Sequence, residues 1–425
     1  MTMINAYSPE QSEGLSGEER ALIERRTRAL GPAYRLFYEH PVHVVRAEGV
    51  WLYGPDGEAY LDAYNNVAVT GHCHPHVTRA IAAQVRVLNT HTRYLNEDVV
   101  TYAERLLRKL PAALSNVMFT CTGSEANDLA LRIARTCTGG SGVVVTETAY
   151  HGVTAALAEL SPSLGQGVPL GPHVRTVPAP KSGNVGADFA AGVTAAFDDL
   201  RAHGVKPAAL LVDTLFSSDG LFPDPPGFLA AAADAARAAG ALFIADEVQA
   251  GFGRSGTHFF GFARHGVTPD IVTMGKPMGA GHPLAGLASK PEIIEVFGKT
   301  SRYFNTFGGN QVSCAAGMAV LDVIESEGLM QNAARVGAIL CHELEDAAAK
   351  SDALGDVRAA GLFLAVDVTD AKTAVAIVNG MRARRVLISA TGPGANVLKI
   401  RPPLVFSEQN AAQFMDVLKD VLRSI

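Results

Sequence analysis

ALFIADEVQ (241–249) and DIVTMGKPMGAG (270–281) decide the reading of this chain. In the first, an apolar β-type run ends at Asp246; in the second, another ends just before a glycine-rich loop holding Lys276. Apolar runs of about four to eight residues bounded by turn residues read as buried strands. VVVTE (143–147) and AALLVD (208–213) have the same character, and alanine-rich or amphipathic stretches of helical period separate the four. Strands alternating with helices imply an α/β fold, a mostly parallel sheet covered by helices. Ligands of such sheets collect at the carboxyl ends of the strands. An acid, Asp246, and an amine, Lys276, are therefore expected to face one pocket.

With 425 residues, 48% of them hydrophobic and 18% charged, the chain can form one large domain with a smaller companion. The strand–helix alternation runs from about Asn65 to Cys314. Before it, a loose arm of about fifteen residues and an amphipathic helix near Gly17 to Leu30 lead into VHVVRAEGVWLYGPDGEAYLDAY (42–64), short strands turned at Pro55-Asp56-Gly57. After it, helical stretches give way to strands around GLFLAVDV (361–368) and NVLKIRPPL (396–404), and to a last helix from Glu408. The expected organisation is an N-terminal arm and small-domain segment (1–64), a large domain (65–314) and a C-terminal α+β small domain (315–425).

A net charge of −6 without a long basic run points to neither nucleic acid nor an anionic membrane surface. No apolar stretch reaches the roughly 18 residues of a membrane span. The five cysteines, odd in number and without a C-x-x-C pair, argue against a disulfide framework or zinc ribbon and fit a reducing cytoplasm. Small molecules and copies of the same chain remain as the expected partners.

FTCTGSEANDLALRIAR (119–135) is strand-like at its start, and Thr122, Gly123 and Ser124 then open a helix. First-turn N–H groups and the positive end of the helix dipole suit a phosphate, although the same residues also serve as an ordinary cap. TETAYHG (146–152) sets Tyr150 and His151 after a strand, where an aromatic side chain can stack on a flat ring. Pyridoxal 5′-phosphate (PLP) uses such a set. A lysine supplies the imine, and a carboxylate in a poorly solvated site keeps the pyridine nitrogen protonated, which makes the ring an electron sink.

Two further patterns carry less. GFGRSG (251–256) has the spacing of a dinucleotide loop, but no long helix opens from it and Asp270 lies too near to be the ribose acid. GHCHPH (71–76) gathers His72, Cys73, His74 and His76, yet Pro75 breaks the run and no second ligand cluster accompanies it; no metal is expected.

Taken as an ordered set, the motifs resemble those of the class III aminotransferases, PLP enzymes of the aspartate-aminotransferase fold type (fold type I). The likeness runs from about Gly49 to the C-terminus through YLDAYNNVAVTGHCHP (60–75), FTCTGSEANDLALRIAR, AYHG, IADEVQAGFGRSG (244–256), VTMGKPMGAGHPLAG (272–286), FNTFGGNQVSCAAGMAVL (304–321) and KIRPPL (399–404). It implies that Lys276 forms the Schiff base, Asp246 binds the pyridine nitrogen, Val248 lies against the ring and Gln249 reaches its 3-hydroxyl. By the same likeness Gly123 and Ser124 hold the phosphate, Tyr150 stacks on the ring beside His151, and Thr306 closes the phosphate cup of the neighbouring subunit in a homodimer.

One stretch departs from the family. Where many members carry a Glu-Pro-x-x-Gly-Glu-like run, this chain has Asp213-Thr-Leu-Phe-Ser-Ser218-Asp-Gly. Asp213 stands for the first glutamate at the cofactor. Ser218 stands for the glutamate that, in ornithine and 4-aminobutyrate enzymes, pairs with the substrate-binding arginine. Arg401 is therefore expected to be free to fork onto an anionic substrate group, carboxylate or phosphate.

The resemblance is strongest to the alanine–glyoxylate branch and its ethanolamine-phosphate phospho-lyase relatives, through NTHTRYLNE (89–97), MGKPMGAGHP (274–283) and YFNTFGGNQVSCA (303–315). It implies transfer of an amino group from an amino acid or amine to a 2-oxo acid such as pyruvate or glyoxylate. The alternative is elimination of phosphate from a phosphorylated amino alcohol such as phosphoethanolamine. Lys276 is the base at the carbon bearing nitrogen in both.

Overall fold

Pro55-Asp56-Gly57 makes the expected turn: Gly57 takes φ 81° and donates its N–H to the Gly54 carbonyl at 3.1 Å. It joins β2 (Trp51–Tyr53) to β3 (Ala59–Asp62), which with β1 (Arg46–Glu48) form an antiparallel ladder. The computed structural model describes residues 5–11, 14–181 and 183–425. Of the loose arm expected at the start, residues 1–4, 12 and 13 lie outside the described residues. Residues 5–11 are tied down instead, with Tyr38 N–H donating to the Asn5 carbonyl at 2.6 Å and Tyr7 N–H to that of Leu36 at 2.9 Å. The helix Gly17–Leu30 begins at a Ser16–Glu19 capping box and buries none of its side chains.

The main sheet contains β4 (Asn116–Thr120), β5 (Gly142–Thr146), β6 (Val174–Val177), β7 (Pro207–Asp213), β8 (Leu242–Asp246), β9 (Ile271–Met274) and β10 (Ala285–Ser289), in the order β4-β10-β9-β8-β7-β5-β6. The four apolar runs read from the sequence are β5, β7, β8 and β9, and they pair in parallel. Alternate residues of β7 and β8 feed two cores. Leu210, Val212, Phe243 and Ala245 pack with Phe197, Leu229 and Ala233, whereas Leu211 and Ile244 pack with Leu129, Ala130 and Ile133 of the helix Gly123–Thr138. Full burial of such a side chain stabilises the fold by about 1.5–3 kcal/mol. β10 runs antiparallel to both of its neighbours, β4 and β9. The sheet is thus mostly parallel. Its register sets Asp213 beside Asp246 and Asp246 beside Thr273, so three central strands end level at one edge.

A second sheet holds β11 (Leu354–Ala359), β12 (Leu364–Val368), β14 (Ser389–Thr391) and β15 (Val397–Ile400), all antiparallel, in the order β11-β12-β15-β14. Between them in sequence, β13 (Val386–Leu387) leaves to pair in parallel with β3, so the N-terminal ladder is completed by the C-terminal part of the chain. The last helix, Glu408–Leu422, starts at Ser407. Among the described residues no helix is long and apolar enough to cross a membrane.

Candidate active site

Asp246 closes β8 and is buried at 5% exposure. Its Oδ2 accepts hydrogen bonds from Asn127 Nδ2 at 2.8 Å and His151 Nδ1 at 2.7 Å, and its Oδ1 accepts one from the Val248 N–H at 3.0 Å. Asn127 is itself fixed: its Oδ1 accepts the Thr273 hydroxyl at 2.6 Å, and its Nδ2 also donates to the His151 carbonyl at 2.8 Å. The carboxylate is therefore clamped on one side while Oδ1 keeps acceptor capacity for a ligand. His151, expected beside a ring, contacts Asp246, and among the described residues its buried Nε2 has no partner.

Lys276 lies two residues beyond β9, and among the described residues its ammonium makes no hydrogen bond. Burial pushes its amine below the ordinary lysine range and Arg401 pushes it further, while Asp246 and Asp213 pull it back. The amine read from one strand end lies within electrostatic reach of the acid read from the other.

At the start of the helix Gly123–Thr138, Thr122 Oγ1 accepts from the Glu125 N–H at 3.1 Å, and Glu125 Oε2 accepts from the Thr122 and Cys121 N–H groups at 2.9 Å. Among the described residues this capping box leaves the Gly123 and Ser124 N–H groups without an acceptor. Ser124 Oγ accepts from the Val153 N–H at 3.2 Å, which ties down the loop after His151. A Cβ on Gly123 would stand 2.8 Å from Val248 Cγ1, and one on Gly275 3.2 Å from Gly123 Cα, so only glycine lets these segments meet.

Gln249 is the middle of a chain of polar contacts. Its Nε2 donates to Ser217 Oγ at 2.7 Å, the Ser217 hydroxyl donates to Asp213 Oδ2, and Gln249 Oε1 accepts from Arg401 Nη1. Asp213 also accepts from the Leu215 N–H at 3.0 Å; burial, then Asp246, raise its carboxyl above the ordinary range. Arg401 donates Nε to the Tyr64 carbonyl at 3.0 Å, stacks 4.7 Å from the Tyr64 ring and, among the described residues, makes no ion pair. Tyr150 is half-buried, and burial raises its hydroxyl above the usual tyrosine range, with Asp246 adding to the effect. Thr306 is exposed on this chain.

Four participants carried no signal that the motif reading used. Asn127 and Thr273 hold Asp246, Ser217 links Asp213 to Gln249, and Lys399 lies two residues before Arg401 on β15, 8% exposed. Alternation along NVLKIRPPL would have found Lys399, because residues i and i+2 of a strand share a face. The other two patterns resolve into structure. His72, His74 and His76 reach three different carboxylates, Asp62 at 2.7 Å, Glu327 at 3.0 Å and Asp322 at 2.8 Å. Among the described residues no group of three or more His, Cys, Asp or Glu could hold a metal ion. GFGRSG runs as turns, with Arg254 fully buried and donating Nη1 to the Leu362 and Pro402 carbonyls.

An amine and helix-start N–H groups without a partner among the described residues, a carboxylate clamped by Asn127 and His151, and Val248 packed on a glycine all fit PLP. Residues 36–422 match the family described as aminotransferase class-III. An alanine–glyoxylate aminotransferase 2-like protein of Drosophila melanogaster is 40% identical over 97% of this chain and 89% of its own length. An ethanolamine-phosphate phospho-lyase homolog of Caenorhabditis elegans is 35% identical over 94% of this chain and 93% of its own. Among solved structures, a phospholyase from Arthrobacter in complex with phosphoethanolamine superposes with a TM-score of 0.92 at 44% identity, covering 95% of this chain and 100% of that one. The chain belongs to the class-III aminotransferases.

Proposed function

We propose that the chain is a PLP-dependent aminotransferase that moves an amino group from an amino acid or amine to a 2-oxo acid such as pyruvate or glyoxylate. The observation that carries this reading is the Lys276 amine, without a hydrogen bond among the described residues and within electrostatic reach of an Asp246 carboxylate fixed by Asn127 and His151. When bound, PLP supplies an electron sink for the carbon next to the amine nitrogen. Asp246 would hold a proton at the pyridine nitrogen, and Asn127 and His151 keep that carboxylate in place. Lys276 would hold the cofactor and would serve as the base toward the proton on the carbon bearing nitrogen; burial favours its neutral, basic form. Gly123 and Ser124 would donate N–H groups to the cofactor phosphate, Tyr150 and Val248 would cover the ring, Gln249 would reach the 3-hydroxyl, and Asp213 orders this edge through Ser217. Arg401 takes an anionic group of the substrate.

The same reading includes a homodimer in which Thr306 closes the neighbouring phosphate cup, a division into 1–64, 65–314 and 315–425, and a cytoplasmic setting consistent with five free cysteines. Phosphate elimination from a phosphorylated amino alcohol is the second reading. Arg401 without a carboxylate partner favours it, and so does the 44% identity to a phospholyase.

Purified protein should show a yellow absorbance band that borohydride abolishes and that Lys276→Ala lacks; a colourless wild type that takes up no added PLP sinks the assignment. A panel of amino donors and 2-oxo acids, read together with phosphate and ammonia release from phosphoethanolamine, separates the reactions. Amino transfer without phosphate release is the expected result, and rapid phosphate release without amino transfer reverses it.

A further inference from the structure

The turn that follows β7 is strained. Phe216 takes φ 55° and Leu221 φ 65°, left-handed values that side chains of this bulk rarely adopt, and both residues are buried. Such a backbone persists only where its surroundings hold it from several sides, and it clusters at functional sites. The two strained residues are tied to each other: the Leu221 N–H donates to the Phe216 carbonyl at 2.9 Å, and the Asp219 N–H donates to the same carbonyl at 3.1 Å. Asp219 also pins the turn to the segment at the end of β5, accepting the Thr146 hydroxyl at 2.9 Å and the Thr148 hydroxyl at 2.5 Å.

The other hold comes from the second sheet. Arg358, on β11, donates Nε to the Leu221 carbonyl at 2.9 Å and Nη2 to the Gly220 carbonyl at 3.0 Å. The same guanidinium forks onto the Asp367 carboxylate of β12, with Nη1 to Oδ2 at 2.9 Å, and lies 5.0 Å from the centroid of the Phe222 ring. A planar guanidinium can serve a carboxylate and two carbonyls together. Thr391 of β14 adds a hydroxyl 3.3 Å from the Ser217 and Ser218 carbonyls. The grip matters because of Ser217. Its N–H at 3.2 Å and its hydroxyl both donate to Asp213 Oδ2, and its Oγ accepts from Gln249 Nε2 at 2.7 Å. A shift at Leu221 passes through the Phe216 carbonyl to Ser217, the next residue, and from there to both side chains.

We propose that Arg358 is a positioning residue: from the second sheet it latches the 216–221 turn and, through Ser217, sets the directions of Asp213 and Gln249. Without the latch, Phe216 and Leu221 relax toward ordinary φ values, Ser217 turns away from its two partners, and the Gln249 amide loses the acceptor that orients it. The inference rests on the reading of Asp213 and Gln249 as neighbours of PLP. A residue that merely packed the two sheets together would contribute to melting temperature and leave cofactor affinity alone; a latch acting through Ser217 moves both, and its effect on the cofactor vanishes once Ser217 is gone.

Wild type, Arg358→Met, Ser217→Ala and the double variant are compared by two measurements, PLP affinity from cofactor absorbance and amide hydrogen exchange across residues 215–222. Arg358→Met should weaken PLP binding about 3- to 10-fold, Ser217→Ala by a similar factor, and the double variant by no more than the worse single change. Exchange of the 215–222 amides in Arg358→Met should quicken about tenfold or more while the amides of β5, β7 and β8 keep wild-type rates. Losses that multiply in the double variant, or a lower melting temperature with unchanged PLP affinity and uniformly faster exchange, overturn the proposal. Should Arg358→Met not fold, Asp367→Asn keeps the shape of the fork and removes its charge. Local exchange should then quicken and PLP affinity fall about two- to fivefold; no change in either counts against the latch. Should the wild type take up no PLP, exchange still decides. Quickening confined to 215–222 keeps the latch and removes only the cofactor reading, and uniform quickening removes the latch as well.

Discussion

Asp246→Asn preserves the outline of the clamp around the pyridine nitrogen and removes its charge. Asn127 and His151 then face an amide that no longer stabilises a protonated ring, so cofactor uptake should survive in part while turnover falls about 100-fold or more. Wild-type turnover in a PLP-loaded Asp246→Asn protein would contradict the assigned role. Asn127→Ala acts through the same carboxylate from one step away. It strips Asp246 of one donor and leaves the Thr273 hydroxyl and the His151 carbonyl without their partner, a cost of about 1–3 kcal/mol in stability. Turnover should fall less than in Asp246→Asn, and the pH profile of turnover should move, which a purely structural change would leave in place. These two residues differ in how far the sequence exposes them. Asp246 ends an apolar strand and announces itself by contrast; Asn127 lies inside a helix, where its value depends on what stands opposite across 119 residues of chain. Lys399 was hidden for a different reason, because a lysine in a strand reads as solvent-facing until the sheet above it is known.

Strand β8 ends at Asp246, and a second acid, Glu247, follows it. It is fully buried, with Oε1 accepting the Thr214 hydroxyl at 2.6 Å and the Phe262 N–H at 2.7 Å, and Oε2 accepting the Gly261 N–H at 2.7 Å. It fastens the loop after GFGRSG to the sheet. Burial outweighs these donors and pushes its carboxyl up to about 7, against 4.5 when unfolded. A group held more tightly protonated in the folded state contributes its full stability below pH 4.5 and loses it as pH rises toward 7. Glu247→Gln should therefore start less stable by about 1–2 kcal/mol, since one acceptor becomes a donor. Its melting temperature should also decline less between pH 5 and 7 than that of the wild type. Parallel declines in the two proteins would show that Glu247 does not titrate in that window. At this scale the central strands were legible because parallel, doubly covered strands are continuous apolar runs. β10 was not, because AGLAS lacks the β-branched and aromatic residues that mark strands, and only the close approach at Gly286, where a Cβ would stand 2.7 Å from the Met118 carbonyl, explains its small residues.

The molecule as a whole leaves apolar surface uncovered where the cofactor reading places a second subunit. Leu95 is fully exposed, Val87 is 80%, Phe307 68% and Tyr94 67% exposed, and the helix Gly17–Leu30 covers no core of its own chain. Exposed apolar groups in one region mark an association surface. The segment 91–95 and the loop bearing Thr306 belong to one patch, because Arg93 stacks 3.7 Å over the Phe304 ring and His91 packs edge-on against it at 5.7 Å. Thr306 thus rides on the surface that a partner would cover, with its side chain exposed on this chain. Two variants separate assembly from cofactor binding. Leu95→Asp combined with Phe307→Asp buries two charges in the proposed interface, so light scattering should report a monomer, and PLP should be lost with the dimer. Thr306→Ala keeps the surface and removes one hydroxyl, so the dimer should persist while PLP affinity falls about 10- to 150-fold, the value of one hydrogen bond to a charged group. A monomeric double variant that holds PLP as tightly as the wild type would mean that each chain completes its own phosphate cup, and Thr306 would lose its assignment.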